Sequence, residues 1–80
     1  MRNELKEWLA SDDNSEDKLR EIAELIFDIC VTSTAPIYRA ARAAVYAAAR
    51  AVVYADAAAA ANARDAVQIL VDELENDNEG

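Results

Sequence analysis

From Tyr38 to Ala61 the chain repeats a degenerate eight-residue unit: Tyr-Arg-Ala-Ala-Arg-Ala-Ala-Val, then Tyr-Ala-Ala-Ala-Arg-Ala-Val-Val, then Tyr-Ala-Asp and five alanines. Alanine is the residue that costs least to hold in a helix, because it loses no side-chain entropy and buries no polar group. A segment of this kind has little choice but α-helix. Its small side chains also let a second helix come close. Helical stability in proteins comes mostly from packing rather than propensity, so the repeat calls for a partner helix.

A chain of 80 residues supplies one small domain. A domain of this size buries only about 60% of its unfolded surface. The alanines add little area each, so self-association is expected. Sixteen acidic residues against eight basic ones give a formal charge of -8. That balance argues against direct nucleic-acid binding and leaves room for a basic partner. Cys30 is the single cysteine. Its apolar setting fits a buried, reduced thiol in a cytoplasmic protein. No basic-then-apolar leader is visible. Arg39, Arg42, Arg50, Asp56 and Arg64 interrupt the alanine stretch, so no membrane span is expected.

Asn3 can cap a short first helix, in which Leu5, Trp8 and Leu9 make one apolar face. Ser11 to Asn14 is a polar break. Asp13 with Glu16 has capping-box spacing, and Ser15 competes as the N-cap of a second helix. That helix carries Leu19, Ile22, Ala23, Leu25, Ile26, Phe27, Ile29 and Cys30 around more than half of its circumference, which predicts cover on two sides. Thr34 is a good N-cap and Pro36 suits the first turn of a third helix. No breaker follows until Glu75, so the third helix is expected to be about 60 Å long.

Along that helix Val45, Ala49, Val52, Asp56, Ala60, Ala63, Val67, Leu70 and Leu74 alternate spacings of four and three. The pattern predicts a coiled-coil seam for a second chain, small in its first half and large in its second. Asp56 lies on the seam, so it should be solvated, protonated or paired with an arginine. Arg42, Arg50 or Arg64 of another chain could serve.

Tyr38, Arg42, Tyr46, Arg50 and Tyr54 form a ladder at four-residue spacing. Arginine over a tyrosine face is a favourable cation–π pair. Each step of four overshoots a helical turn by about 40°, so the ladder winds and cannot all face one ligand from one chain. It can pack helices, make a protein contact, or gather from several chains into a pocket for a small anionic ligand such as a nucleotide.

Charge is also segregated. Residues 1–28 hold nine acids and four bases, whereas residues 35–67 hold four arginines against Asp56 and Asp65. Either the acidic second helix is matched by the arginines of the third, or an acidic face imitates nucleic-acid phosphates. Asp17, Glu21, Glu24 and Asp28 form the continuous strip for that face. With no histidine, no suitable cysteine pairing and Gly80 as the one glycine, nothing supports catalysis, a metal site or a phosphate loop.

The segment Tyr38 to Asp65 resembles the alanine-rich Tyr/Arg/Asp arrays of small bacteriophage-encoded helical proteins. The resemblance implies a short acidic accessory protein that binds a host enzyme or defence component, as anti-restriction and anti-CRISPR proteins do.

The expected protein is therefore all-α, with a short N-terminal helix, a medium amphipathic helix and one long Ala-rich helix, packed as a helical-bundle homo-oligomer. Residues 1–75 form one domain with helices over about 3–10, 15–32 and 35–75, and 76–80 are a disordered acidic tail. The expected function is non-enzymatic, cofactor-free inhibition of a host nuclease, polymerase or defence complex by stoichiometric binding in the cytoplasm. Alternatives are an oligomeric sponge for an anionic nucleotide signal and a structural or regulatory adaptor.

Overall fold

The alanine-rich stretch is interrupted at Ala55 and Asp56. Ala55 takes the left-handed conformation, φ 52° and ψ 38°, and its N–H bonds to the Ala51 carbonyl at 2.9 Å. This closes one helix in the way glycine usually does. Asp56 then opens the next, its Oδ1 accepting from the Ala59 N–H at 2.7 Å. The computed structural model describes residues 2–79 as four helices: α1 (Arg2–Ala10), α2 (Glu16–Thr32), α3 (Ile37–Tyr54) and α4 (Ala57–Glu79). There is no strand among the described residues. The single helix expected over 35–75 is thus two. Helices α3 and α4 placed end to end would span about 60 Å, whereas the longest dimension of the molecule is 36 Å. The second folds back along the first.

The packing order puts α3 in the middle, with α2 and α4 against it and α1 against α4. Helix α2 presents Leu19, Ile22, Ile26 and Ile29, all buried. Helix α3 meets its neighbours with Ile37, Ala41, Ala44, Ala48 and Ala51. Branched side chains from α2 therefore press onto an alanine face, where the absence of bulk brings the helices close. From α4 come Ala60, Ala63, Val67, Leu70 and Val71. Leu5 and Trp8 of α1 complete one continuous core.

The buried row of α3 lies one residue earlier than the expected seam, a rotation of about 100°. Val45 and Val52 are half-buried on its flank, while Ala49 and Asp56 are exposed. The valines misled because they are the largest aliphatic side chains in the repeat. A helix wedged between two neighbours buries its small residues and leaves the larger ones at the edges. In the second half of the pattern Ala60, Ala63, Val67 and Leu70 are buried and Leu74 is half-buried. Their partner is the same chain. The premise that a long bare helix needs a second chain does not hold.

The caps differ in part from expectation. Ser15 is the N-cap of α2, its hydroxyl accepting from the Lys18 N–H at 3.4 Å, while Asp13 Oδ1 accepts from the Ser15 N–H at 3.0 Å. These contacts hold the Asp13 carboxyl below its ordinary value of 3.8, the backbone hydrogen bond from Ser15 contributing most. At α3 it is the Thr34 carbonyl, not its hydroxyl, that accepts from Tyr38 N–H at 2.9 Å, and Pro36 sits just before the helix. Asn3 lies inside α1 and not at its cap. The tail expected to be disordered from Asn76 is helical to Glu79, and Gly80 lies outside the described residues.

Helix α1 has few residues of its own to hold it, and Arg64 of α4 ties it down. Arg64 Nη1 donates to the Trp8 and Leu9 carbonyls at 3.0 and 3.2 Å. Its Nε and Nη2 donate to Asn14 Oδ1 at 3.0 and 2.8 Å. The guanidinium also stacks over the Trp8 ring, 4.5 Å from its centroid. The indole Nε1–H in turn donates to the Asp13 carbonyl at 2.8 Å. A cation thus meets the carbonyl end of α1, where the helix dipole is negative and backbone acceptors lack helical partners. The Lys6–Glu75 pair on the surface joins the same two helices.

Two outcomes follow from these contacts. Replacing Ala55 by glycine removes the left-handed penalty and should stabilise the fold by about 1 kcal/mol, raising the melting temperature by about 4–8 °C. A drop in stability would show that the left-handed turn is wrong. Arg64→Ala should cost about 2 kcal/mol in urea unfolding. Arg64→Lys keeps the charge and loses the fork, so it should recover less than half of that loss.

Candidate functional site

Two surfaces carry the chemistry singled out in the sequence, and they lie on different helices. On α2, Asp17, Glu21, Glu24 and Asp28 are all exposed. Spacings of four, three and four keep them on one line of the helix. Lys18 lies 3.6 Å from Glu21, but no salt bridge reaches Asp17, Glu24 or Asp28 among the described residues. In particular, Arg39, Arg42 and Arg50 of α3 make no salt bridge to this strip. The intramolecular matching of the two helices is not formed. Phe27 and Val31 stand exposed on the same helix, 56% and 62% accessible. Projected around the helix, they fall within about 60° of Glu24. An acidic strip flanked by bare apolar side chains can meet a partner surface that is basic and partly apolar.

On α3 the Tyr/Arg ladder is exposed along its whole length. Arg42 lies 5.8 Å from the Tyr46 ring centroid and Arg50 lies 5.6 Å from that of Tyr54. The Arg42 guanidinium is held above the ordinary arginine value, first by hydrogen bonding with the Tyr46 side chain. Like any arginine, it is cationic throughout the physiological range. Each set of three successive members spans about 80° of the helix, narrow enough for one groove. The ladder divides accordingly. Tyr38, Arg42 and Tyr46 line an open cleft of about 520 Å³, with Arg39 beside them. Tyr46, Arg50 and Tyr54 line a second of about 460 Å³. Tyr46 belongs to both.

The second cleft has another wall. The break at Ala55 turns α4 back so that Asp56, Ala58, Ala59 and Asn62 face the ladder. Three residues from one helix and a carboxylate and an amide from the next thus share one groove. By spacing Asp56 belongs to the expected oligomer seam, and Asn62 stands in no motif of the sequence. The available signal was the Asp-Ala-Ala-Ala run, an N-cap followed by a fresh helix, which marks a helix start when Asp is read as a cap.

Arg64, considered as a partner for Asp56 of another chain, is engaged with α1 and unavailable for that role. Cys30 is a free, half-buried thiol on α2. Among the described residues, no three His, Cys, Asp or Glu side chains are grouped to hold a metal ion, and no helix is long and apolar enough to cross a membrane. No family model matches this chain, and no curated protein or solved structure matches it.

Asp56 serves both the hairpin and the groove, which separates cap from charge experimentally. Asp56→Ala should cost about 1 kcal/mol by thermal unfolding, while Asp56→Asn, a good cap without charge, should stay within about 0.5 kcal/mol of the parent. Equal losses in both would mean that the charge, and not the cap, holds the turn.

Proposed function

We propose that this chain is a non-enzymatic binding protein. It blocks a partner with a basic face, of the kind that handles nucleic acid, by stoichiometric association. The observation that carries the reading is the exposed acidic strip of α2, left uncompensated by the arginines of its own molecule. Four carboxylates over the twelve residues from Asp17 to Asp28 extend about 16 Å along the helix. One strand of a duplex carries about five phosphates over that length, so the strip approaches the charge density of a single strand. Phe27 and Val31 add what a phosphate backbone lacks, apolar area that a specific target can cover. The resemblance to phage helical proteins supports a host nuclease, polymerase or defence complex as the target class, in the host cytoplasm.

Self-association forms the finer part of the proposal. The hairpin removes its original premise, and what still supports it is the exposure of Phe27, Val31, Val53 and Ile69.

The test replaces Asp17, Glu21, Glu24 and Asp28 together by serine and checks helicity by circular dichroism. The parent protein should capture a basic protein that duplex DNA and added salt release. The variant should bind it more weakly by about tenfold or more. Undiminished capture by a folded variant would exclude the strip as the contact.

A further inference from the structure

The groove between α3 and α4 shares no residue with the acidic strip and has its own chemistry. Its floor is alanine from both helices, Ala47 and Ala59 among them, so a flat ligand can lie close to the backbone. Tyr46 and Tyr54, 61% and 59% accessible, line it one helical step before and after Arg50. Its volume of about 460 Å³ falls within the usual range for small-molecule sites, about 300–1,000 Å³.

Polarity is graded along it. At the turn end stands Asp56, and Asn62 lies about 9 Å further along α4. Asp56 Oδ1 already caps α4, which leaves its second oxygen as an acceptor with no hydrogen among the described contacts. At the other end the groove runs past Tyr46 into the cleft that holds Arg39 and Arg42. A complementary ligand is therefore planar, donates hydrogen bonds from one end and carries an anion at the other. We infer that the groove binds a mononucleotide with an amino-substituted base. The base stacks on Tyr54 with its exocyclic amine toward Asp56, and the phosphate lies toward Arg42 and Arg50. Every aromatic base has a face for stacking, so the rings supply affinity without choice. Asp56 supplies the choice, because its carboxylate accepts from the amine of AMP and repels the carbonyl oxygen that IMP places there.

AMP is the probe, with IMP as its counterpart bearing a carbonyl where AMP has the amine, and inorganic phosphate as the anion alone. Calorimetry on the intact chain should give a dissociation constant for AMP below about 1 mM, with IMP weaker by about fivefold or more. Arg42→Gln and Arg50→Gln should each weaken AMP by about fivefold or more. Asp56→Asn, which keeps the α4 cap, should bring AMP and IMP within about twofold of each other. The substituted side chains are exposed, and circular dichroism verifies that each variant is folded. No heat with AMP up to about 1 mM would overturn the proposal. So would inorganic phosphate binding as tightly as AMP, or AMP affinity unchanged in both arginine variants. The four-serine variant of α2 leaves this groove intact, so loss of partner binding there and loss of AMP binding here are separate results.

Discussion

Eighty residues cannot cover a helix of forty, and the left-handed turn at Ala55 relieves that mismatch. By closing α3 and letting Asp56 start α4, it halves the exposed length of the alanine-rich stretch and supplies each half with a neighbour. The rest of the molecule depends on that reversal. Only with α4 folded back does Arg64 reach the carbonyl end of α1 and the face of Trp8. Only then do Asp56 and Asn62 stand opposite Tyr46, Arg50 and Tyr54. An alanine in this conformation carries a backbone cost of roughly 1–2 kcal/mol. The cap and the packing of α3 against α4 offset it.

The alanine face of α3 explains how so small a chain makes a core at all. Bulk comes from its neighbours, isoleucines from α2 and valine and leucine from α4, while α3 contributes closeness. Close approach multiplies weak dispersion contacts, and a central helix without bulky side chains can serve two neighbours at once. The same arrangement pushes the tyrosines and arginines of the repeat outward. Their exposure is the consequence of burying the alanines, and it creates the two surface clefts.

Charge follows a similar logic. The acids of α2 and the arginines of α3 sit on adjacent helices, yet they point away from the shared interface because both helices devote that interface to apolar side chains. Arginines 42 and 50 turn to tyrosine rings of their own helix. The acidic strip is left to water. What looks in one dimension like an internal charge match becomes two separate outward surfaces, each open to a partner of opposite character.

The sequence by itself determined helicity, the polar break at residues 11–14, the Ser15 cap, the buried face of α2 and the lower half of the long apolar pattern. These are local quantities: propensity, capping geometry and periodicity act over a few residues and need no knowledge of what lies opposite. It also made the α2 strip legible, since spacing alone aligns carboxylates on a helix. The break at Ala55 was not legible in the same way, because alanine carries no preference for the left-handed region and Asp56 fits both a seam and a cap. Which face of α3 is buried was decided by the two helices that enclose it, and not by the size of Val45 and Val52. The Arg64 contact with α1 joins residues more than fifty positions apart. The groove that unites Tyr46, Arg50 and Tyr54 with Asn62 exists only after the hairpin has formed. Those features belong to the tertiary structure, because each depends on which surfaces meet once the chain has turned back on itself.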